Sequence, residues 1–201
     1  MVLSQDRPRW QHDEPVRRVD AVLAYNIVRW IRYRAYRQML RGRLRTNGRG
    51  LLGRRSSLQV RPGGSMRIGA GFVTDDDVLI AASGSLTLGD NVFINSGSRL
   101  VAHESIEIGS NVVIAANVSI LDHDHRTSVE GGRLVIDGDR FVTAPIRIGS
   151  NVWLGDKATV LKGVSIGDNV IVGANSVVTK DVASGSVVAG VPARLIRSLD
   201  L

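Results

Sequence analysis

Aliphatic residues recur every six positions through most of the chain. Leu88, Ile94, Leu100 and Ile106 are six apart, and after a two-residue slip Ile108, Ile114 and Ile120 keep the interval. Ile148, Leu154, Val160, Ile166, Val172 and Val178 then follow without a break. A small or polar residue often comes next, as in "LGDNVF", "IGSNVW" and "IGDNVI". Six suits neither a helix of 3.6 residues per turn nor a simple two-faced strand. It suits a short strand and a turn repeated three times per coil, with the aliphatic side chain always inward. Coils so built stack at the ~4.8 Å strand spacing, each burying its neighbour's apolar layer. Glycine and asparagine at the corners tolerate the positive φ of tight turns. The expected fold is mainly β, a parallel β-helix over residues 58–190.

The period fails once, between Ile120 and Ile148, where the chain reads "DHDHRTSVEGGRLVIDGDRFVTAP". A long loop over residues 122–146 is expected to project from the coils there. Upstream, Pro15 to about Arg45 has a helical pattern. Asp13 or Glu14 suits the cap, and Pro15 suits the first turn. Val19, Val22, Leu23, Ile27, Trp30 and Ile31 form an apolar stripe at spacings of three and four, ringed by arginines. Residues 1–50 thus make a basic N-terminal arm, and residues 191–201 a C-terminal tail.

Charge sharpens this division. Residues 1–67 hold sixteen arginines against four acidic residues, while residues 68–201 hold ten basic and fifteen acidic ones. The high isoelectric point therefore belongs to the arm. Two readings of the arm stand side by side. It lies on an anionic membrane surface as a peripheral contact, or it packs its apolar stripe on the β-helix or a neighbouring subunit. No nucleic-acid-binding module accompanies the charge, and nucleic acid is not an expected partner. At 201 residues one main domain is expected. The absence of cysteine excludes disulfides, thiolate metal sites and a cysteine nucleophile. With no apolar leader and no run approaching the ~18–20 residues that span a bilayer, a cytoplasmic location is expected. No glycine-rich nucleotide fingerprint is present, so ATP or NAD chemistry has no support.

Two of the four histidines fall in "ILDHDHR", at His123 and His125. Leu100 and Ile120 are equivalent positions one coil apart, so His103 and His123 should stack. Three readings are open at this point. An imidazole beside carboxylates serves proton transfer; three imidazoles serve a zinc ion; or the segment is a polar loop. Asp122 and Asp124 either hold an imidazole tautomer or shape a turn.

Residues 58–197 resemble the hexapeptide-repeat acyltransferases, whose fold is the left-handed parallel β-helix. Within that group they are most similar to the galactoside and maltose acetyltransferases and their polysaccharide O-acetyltransferase relatives. The stretches that carry the likeness are "NVSILDHDHR", "PIRIGSNVWLGDKATVLKGVSIGDNVIVGANSVVTKDV" and "VVAGVPARLIR". The resemblance implies a homotrimer that moves an acetyl group from acetyl-CoA to a hydroxyl of a sugar or glycan, in a cleft between subunits, with no metal required. It implies His123 as general base, Asn95 toward the acceptor and Trp153 lining the coenzyme cleft; His125 is a candidate to bind the acceptor, to orient His123, or to be simply exposed. Ala174, Thr179, Lys180, Arg194 and Arg197 then fall beside the coenzyme. The chain departs from the sugar enzymes at "VAHES", where His103 and Glu104 occupy the region of an acidic acceptor residue, and in its basic arm. Two rival readings are a zinc enzyme like the γ-class carbonic anhydrases, built on the same fold, and a non-catalytic β-helix scaffold.

Overall fold

The computed structural model describes residues 15–201, with side chains described from residue 23 onward. The expected caps Asp13 and Glu14 lie outside the described residues. A helix, Pro15–Met39, precedes a stack of about seven coils. Each coil lays one short strand on each of three parallel sheets, so the stack is a triangular prism. The first face runs from Leu44–Thr46 to Ser165–Ile166, and the second from Gly50–Leu51 to Arg194–Ser198. The third runs from Ser57–Val60 to Val177–Val178.

Pairing registers explain the two-residue slip in the period. In the early coils, strands of the first and third faces turn two side chains inward, as with Leu86 and Leu88 or Leu100 and Ala102. Ser85 pairs with Ser105, twenty residues on. Beyond the projecting segment the coils shorten to eighteen residues, and Ile148 pairs with Ile166. The core is a column of aliphatic layers, with Ile94, Ile114, Leu154 and Val172 each fully buried. Full burial of one such side chain stabilises the fold by roughly 1.5–3 kcal/mol. At one corner Asn91, Asn111, Asn151 and Asn169 all have positive φ. Their side-chain amides form a ladder at 3.1, 3.3 and 3.2 Å. This corner is what the sequence reading expected of "GDN" and "GSN".

The segment expected as a loop is an antiparallel hairpin, His123–Glu130 paired with Arg133–Thr143. Its tip is Gly131-Gly132, both with positive φ, which is the backbone that two-residue hairpin turns require. At its base Ala144 N–H donates to the Asp122 carbonyl, and Gly163 N–H donates to the Ala144 carbonyl. These bonds tie the hairpin to the prism.

The helix meets the prism with a face other than the apolar stripe. Leu23, Ile27 and Ile31 are 58, 47 and 53% exposed, so these three stripe residues do not pack into the β-helix of their own chain. Tyr33 is buried instead and stacks at 5.8 Å from Phe72. It fits because residue 50 is glycine, where a Cβ would come within 2.8 Å of the ring. Tyr25 donates to Asp76 at 2.9 Å, Arg32 donates to the Ser56 carbonyl at 2.9 Å, and Arg29 donates to the Thr74 carbonyl. The first coils offer exposed carbonyls and carboxylates, and arginine and tyrosine satisfy them.

Candidate functional site

The third face ends at a corner where the chain must turn onto the first face. His103 and His123 occupy this corner in successive coils, because Leu100 pairs with Ile120. Their rings stack at 4.0 Å, as the spacing predicts. Between them lies Asp122, which is fully buried. Its carboxylate accepts from the backbone N–H of His103, Glu104 and Ser105 at 2.8, 2.7 and 2.8 Å. The same carboxylate meets His123 Nδ1 at 3.2 Å. Both sequence readings of Asp122 therefore hold, since it shapes a turn and holds an imidazole. A carboxylate can only accept, so Nδ1 of a neutral His123 carries the hydrogen and Nε2 keeps its lone pair. That is the tautomer a general base needs.

The hairpin contributes Phe141, whose ring centre lies 4.2 Å from that of His103, 5.1 Å from His123 and 5.0 Å from His125. The phenyl ring thus packs against all three imidazoles. Among the described residues no group of three metal-ligating side chains is formed. His125 is exposed on the hairpin and packs against Phe141. Asp124 pairs with Lys162 at 2.6 Å, fastening the hairpin to the next coil.

Burial first, and then the neighbouring His123, hold the His103 imidazole below its ordinary value, against the opposing charge of Asp122. The sign of the pH effect follows. The unfolded chain protonates more readily, so the stabilisation linked to His103 is present above pH ~6.5 and falls away as pH drops through the depressed folded value. Acid titration of stability should therefore show a loss that His103→Gln diminishes. Identical pH profiles for the two proteins would contradict this placement.

The other expected residues divide between two regions. Thr179 and Lys180 follow the last strand of the third face, so they share the corner of His123, two strands further on, or ~10 Å along the axis. Lys180 and Arg194 line one groove of about 360 Å³ with Val182, Ala193 and Leu195. Arg194 reaches it because Arg194–Ser198 folds back antiparallel onto Ser186–Ala189. Trp153 is 51% exposed on the outside of the second face. It shares a column with Ile171, Val187 and Arg197. Asn95 and Ala174 lie at the corner after that face, and the Asn95 side-chain oxygen accepts from Ser96 N–H at 2.7 Å. The whole third face separates them from His123, so one chain does not bring the two groups together.

Phe141 and Lys162 were not expected. Nothing periodic marks Phe141, because hairpin pairing is set by the turn, and the ion pair of Lys162 depends on where that hairpin lies over the next coil. Gly131-Gly132 was the available signal.

Residues 145–180 match the family model described as bacterial transferase hexapeptide (six repeats), and residues 85–122 match the hexapeptide repeat of succinyl-transferase. A search among curated proteins gives no match. Solved structures similar to the chain include AntD, an N-acyltransferase from Bacillus cereus in complex with dTDP and 3-hydroxybutyryl-CoA. It is 21% identical, with TM-score 0.68, and the match covers 83% of this chain and 88% of that one. A hexapeptide-repeat-containing acetyltransferase from Vibrio cholerae O1 biovar eltor, complexed with acetyl coenzyme A, is 24% identical. Its TM-score is 0.52, and the match covers 94% and 93% of the two chains. The likeness at this identity is one of fold.

Proposed function

We propose that this hexapeptide-repeat chain is an acetyl-CoA-dependent acyltransferase that acetylates a hydroxyl of a sugar or cell-envelope glycan, with His123 as general base. The observation that carries the reading is the Asp122–His123 pair. It presents a lone pair at Nε2, at the root of a hairpin and on the same prism corner as Lys180. In the reaction so read, Nε2 takes the acceptor's hydroxyl proton as that oxygen attacks the thioester carbonyl carbon. The carbon–sulfur bond then breaks, and the imidazolium returns the proton to the departing thiolate. His103, held neutral, stacks against the ring without repelling the imidazolium that forms. Direct transfer fits a chain with no cysteine.

The residues present suit coenzyme A as donor. Lys180 and Arg194 bring two cations to a groove lined otherwise mostly by apolar residues, with Asp181 and Ser186 among them, which suits phosphates attached to a pantetheine arm. Trp153 offers an exposed ring on the second face. The co-crystallised acyl-CoA and acetyl-CoA of the two similar structures support the same reading. So does the division of the site between one corner and the opposite face. Packing as a trimer would set Trp153, Asn95 and Ala174 of one copy against His123 of the next. The exposed Val129, Leu134 and Ile136 of the hairpin would gain partners in the same step. The reaction belongs on the cytoplasmic side, where acetyl-CoA is supplied.

An acceptor screen read by mass spectrometry tests the activity, and the gain of one acetyl unit on a sugar hydroxyl is the expected result. Acylation of amino sugars alone would replace O- by N-transfer, the chemistry named for AntD. Arg194→Ala should raise the Michaelis constant for acetyl-CoA roughly tenfold with turnover nearly unchanged. An unchanged constant would remove Arg194 from the donor groove.

A further inference from the structure

We infer that the N-terminal end of the prism is a docking surface for an anionic phospholipid bilayer, formed jointly by the outward face of the helix and an arginine-lined concavity beside it. The inference does not depend on the catalytic reading. From Leu23 to Thr74 the chain has twelve arginines and no aspartate or glutamate. Residues 75–201 carry ten basic and fifteen acidic residues, so the positive field is concentrated at one end.

The structure gathers that charge. Arg34, Arg37, Arg41, Arg45 and Arg49 line an open concavity of about 1170 Å³ between the helix and the first coil. Among the described residues none of these five has a carboxylate partner. The acidic run of the first coils, Asp75 to Asp77, is already engaged by Arg29, Arg54 and Arg55. Arg34 lies over the Trp30 ring at 4.8 Å. Ile31 lines the same concavity, and from it the exposed stripe continues through Val28, Ile27 and Leu23. Aliphatic and cationic surfaces are therefore continuous.

This pairing selects the occupant. Arginine forks bind lipid phosphates, and aliphatic side chains enter the acyl boundary; each signal alone gives marginal binding, and the two together give stable attachment. A nucleic acid would use the arginines and leave the stripe in water. A second copy laid on the same face would oppose five arginines with five more. The helix is held to the prism by Tyr25, Arg32 and buried Tyr33, so its outer face is already in place before contact. Among the described residues no helix is long and apolar enough to cross the bilayer, and the contact is with its surface.

The test is sedimentation of the full-length protein with vesicles of phosphatidylcholine, with and without about one-third phosphatidylglycerol. Binding to the anionic vesicles alone, weakened by added salt, is the expected result. Ile27→Asp with Ile31→Asp should lower it at least ~10-fold, and so should Arg37→Glu with Arg41→Glu, while melting stays unchanged because these side chains are exposed. Equal binding to neutral vesicles, or none to anionic ones, would overturn the inference. So would retained binding in the isoleucine variant with displacement by duplex DNA, which would mark a polyanion site. A change in the isoleucine variant's sedimentation coefficient would do the same, since the stripe would then cover a second copy.

Discussion

Asp122→Ala should lower the stability of the protein by about 2–4 kcal/mol and destroy most of its activity. One carboxylate receives three backbone N–H groups of the preceding coil and the His123 ring. Alanine leaves those donors facing an apolar void, and each part-buried orphan costs about 1–3 kcal/mol before water relieves some of them. The corner loosens in consequence, and His123 loses the partner that selects its tautomer. Asp122→Asn keeps the volume but points an N–H₂ at backbone donors, so it should fall between the two. Urea denaturation measures the first effect. A loss below ~0.5 kcal/mol in the alanine variant would show that the carboxylate does not hold the turn.

His123→Ala has the largest expected effect on catalysis, a fall in turnover of ~10²–10⁴, the usual contribution of a positioned general base. Its side chain is 15% exposed at a corner and takes no part in the aliphatic column. The fold and acetyl-CoA binding should therefore survive, and calorimetry with the coenzyme separates lost chemistry from lost structure. His103→Ala is the informative companion. It removes the stacked ring and leaves the Asp122–His123 pair, so its turnover should drop far less. Near-normal turnover in the His123 variant would end the proposed mechanism, and equal losses in both would move the base to the pair.

Much of the site is legible in the sequence because the repeat converts spacing into position. Once Leu100 and Ile120 are seen as equivalent, His103 and His123 must stack, and they do, at 4.0 Å. Asp122 was visible as a residue but ambiguous in role, since three of its four partners are backbone amides of another coil. The hairpin reads as a loop in the sequence because it carries no six-residue period. The contacts of Phe141 with three imidazoles depend on its cross-strand register. The helix stripe is legible in the sequence, but both of its directions, toward a membrane and toward the prism, stay open there.

By itself the sequence determined the coils, their corners and the stacking of equivalent side chains. Inward aliphatic packing at a fixed interval leaves a chain no other economical way to bury them, and asparagine meets the backbone demand at each corner. Only the tertiary structure decided which side of the helix met the prism, how the excursion folded back, and what Asp122 holds. Those outcomes depend on single hydrogen bonds and ring contacts between distant residues. Such contacts have no period, so no local pattern announces them.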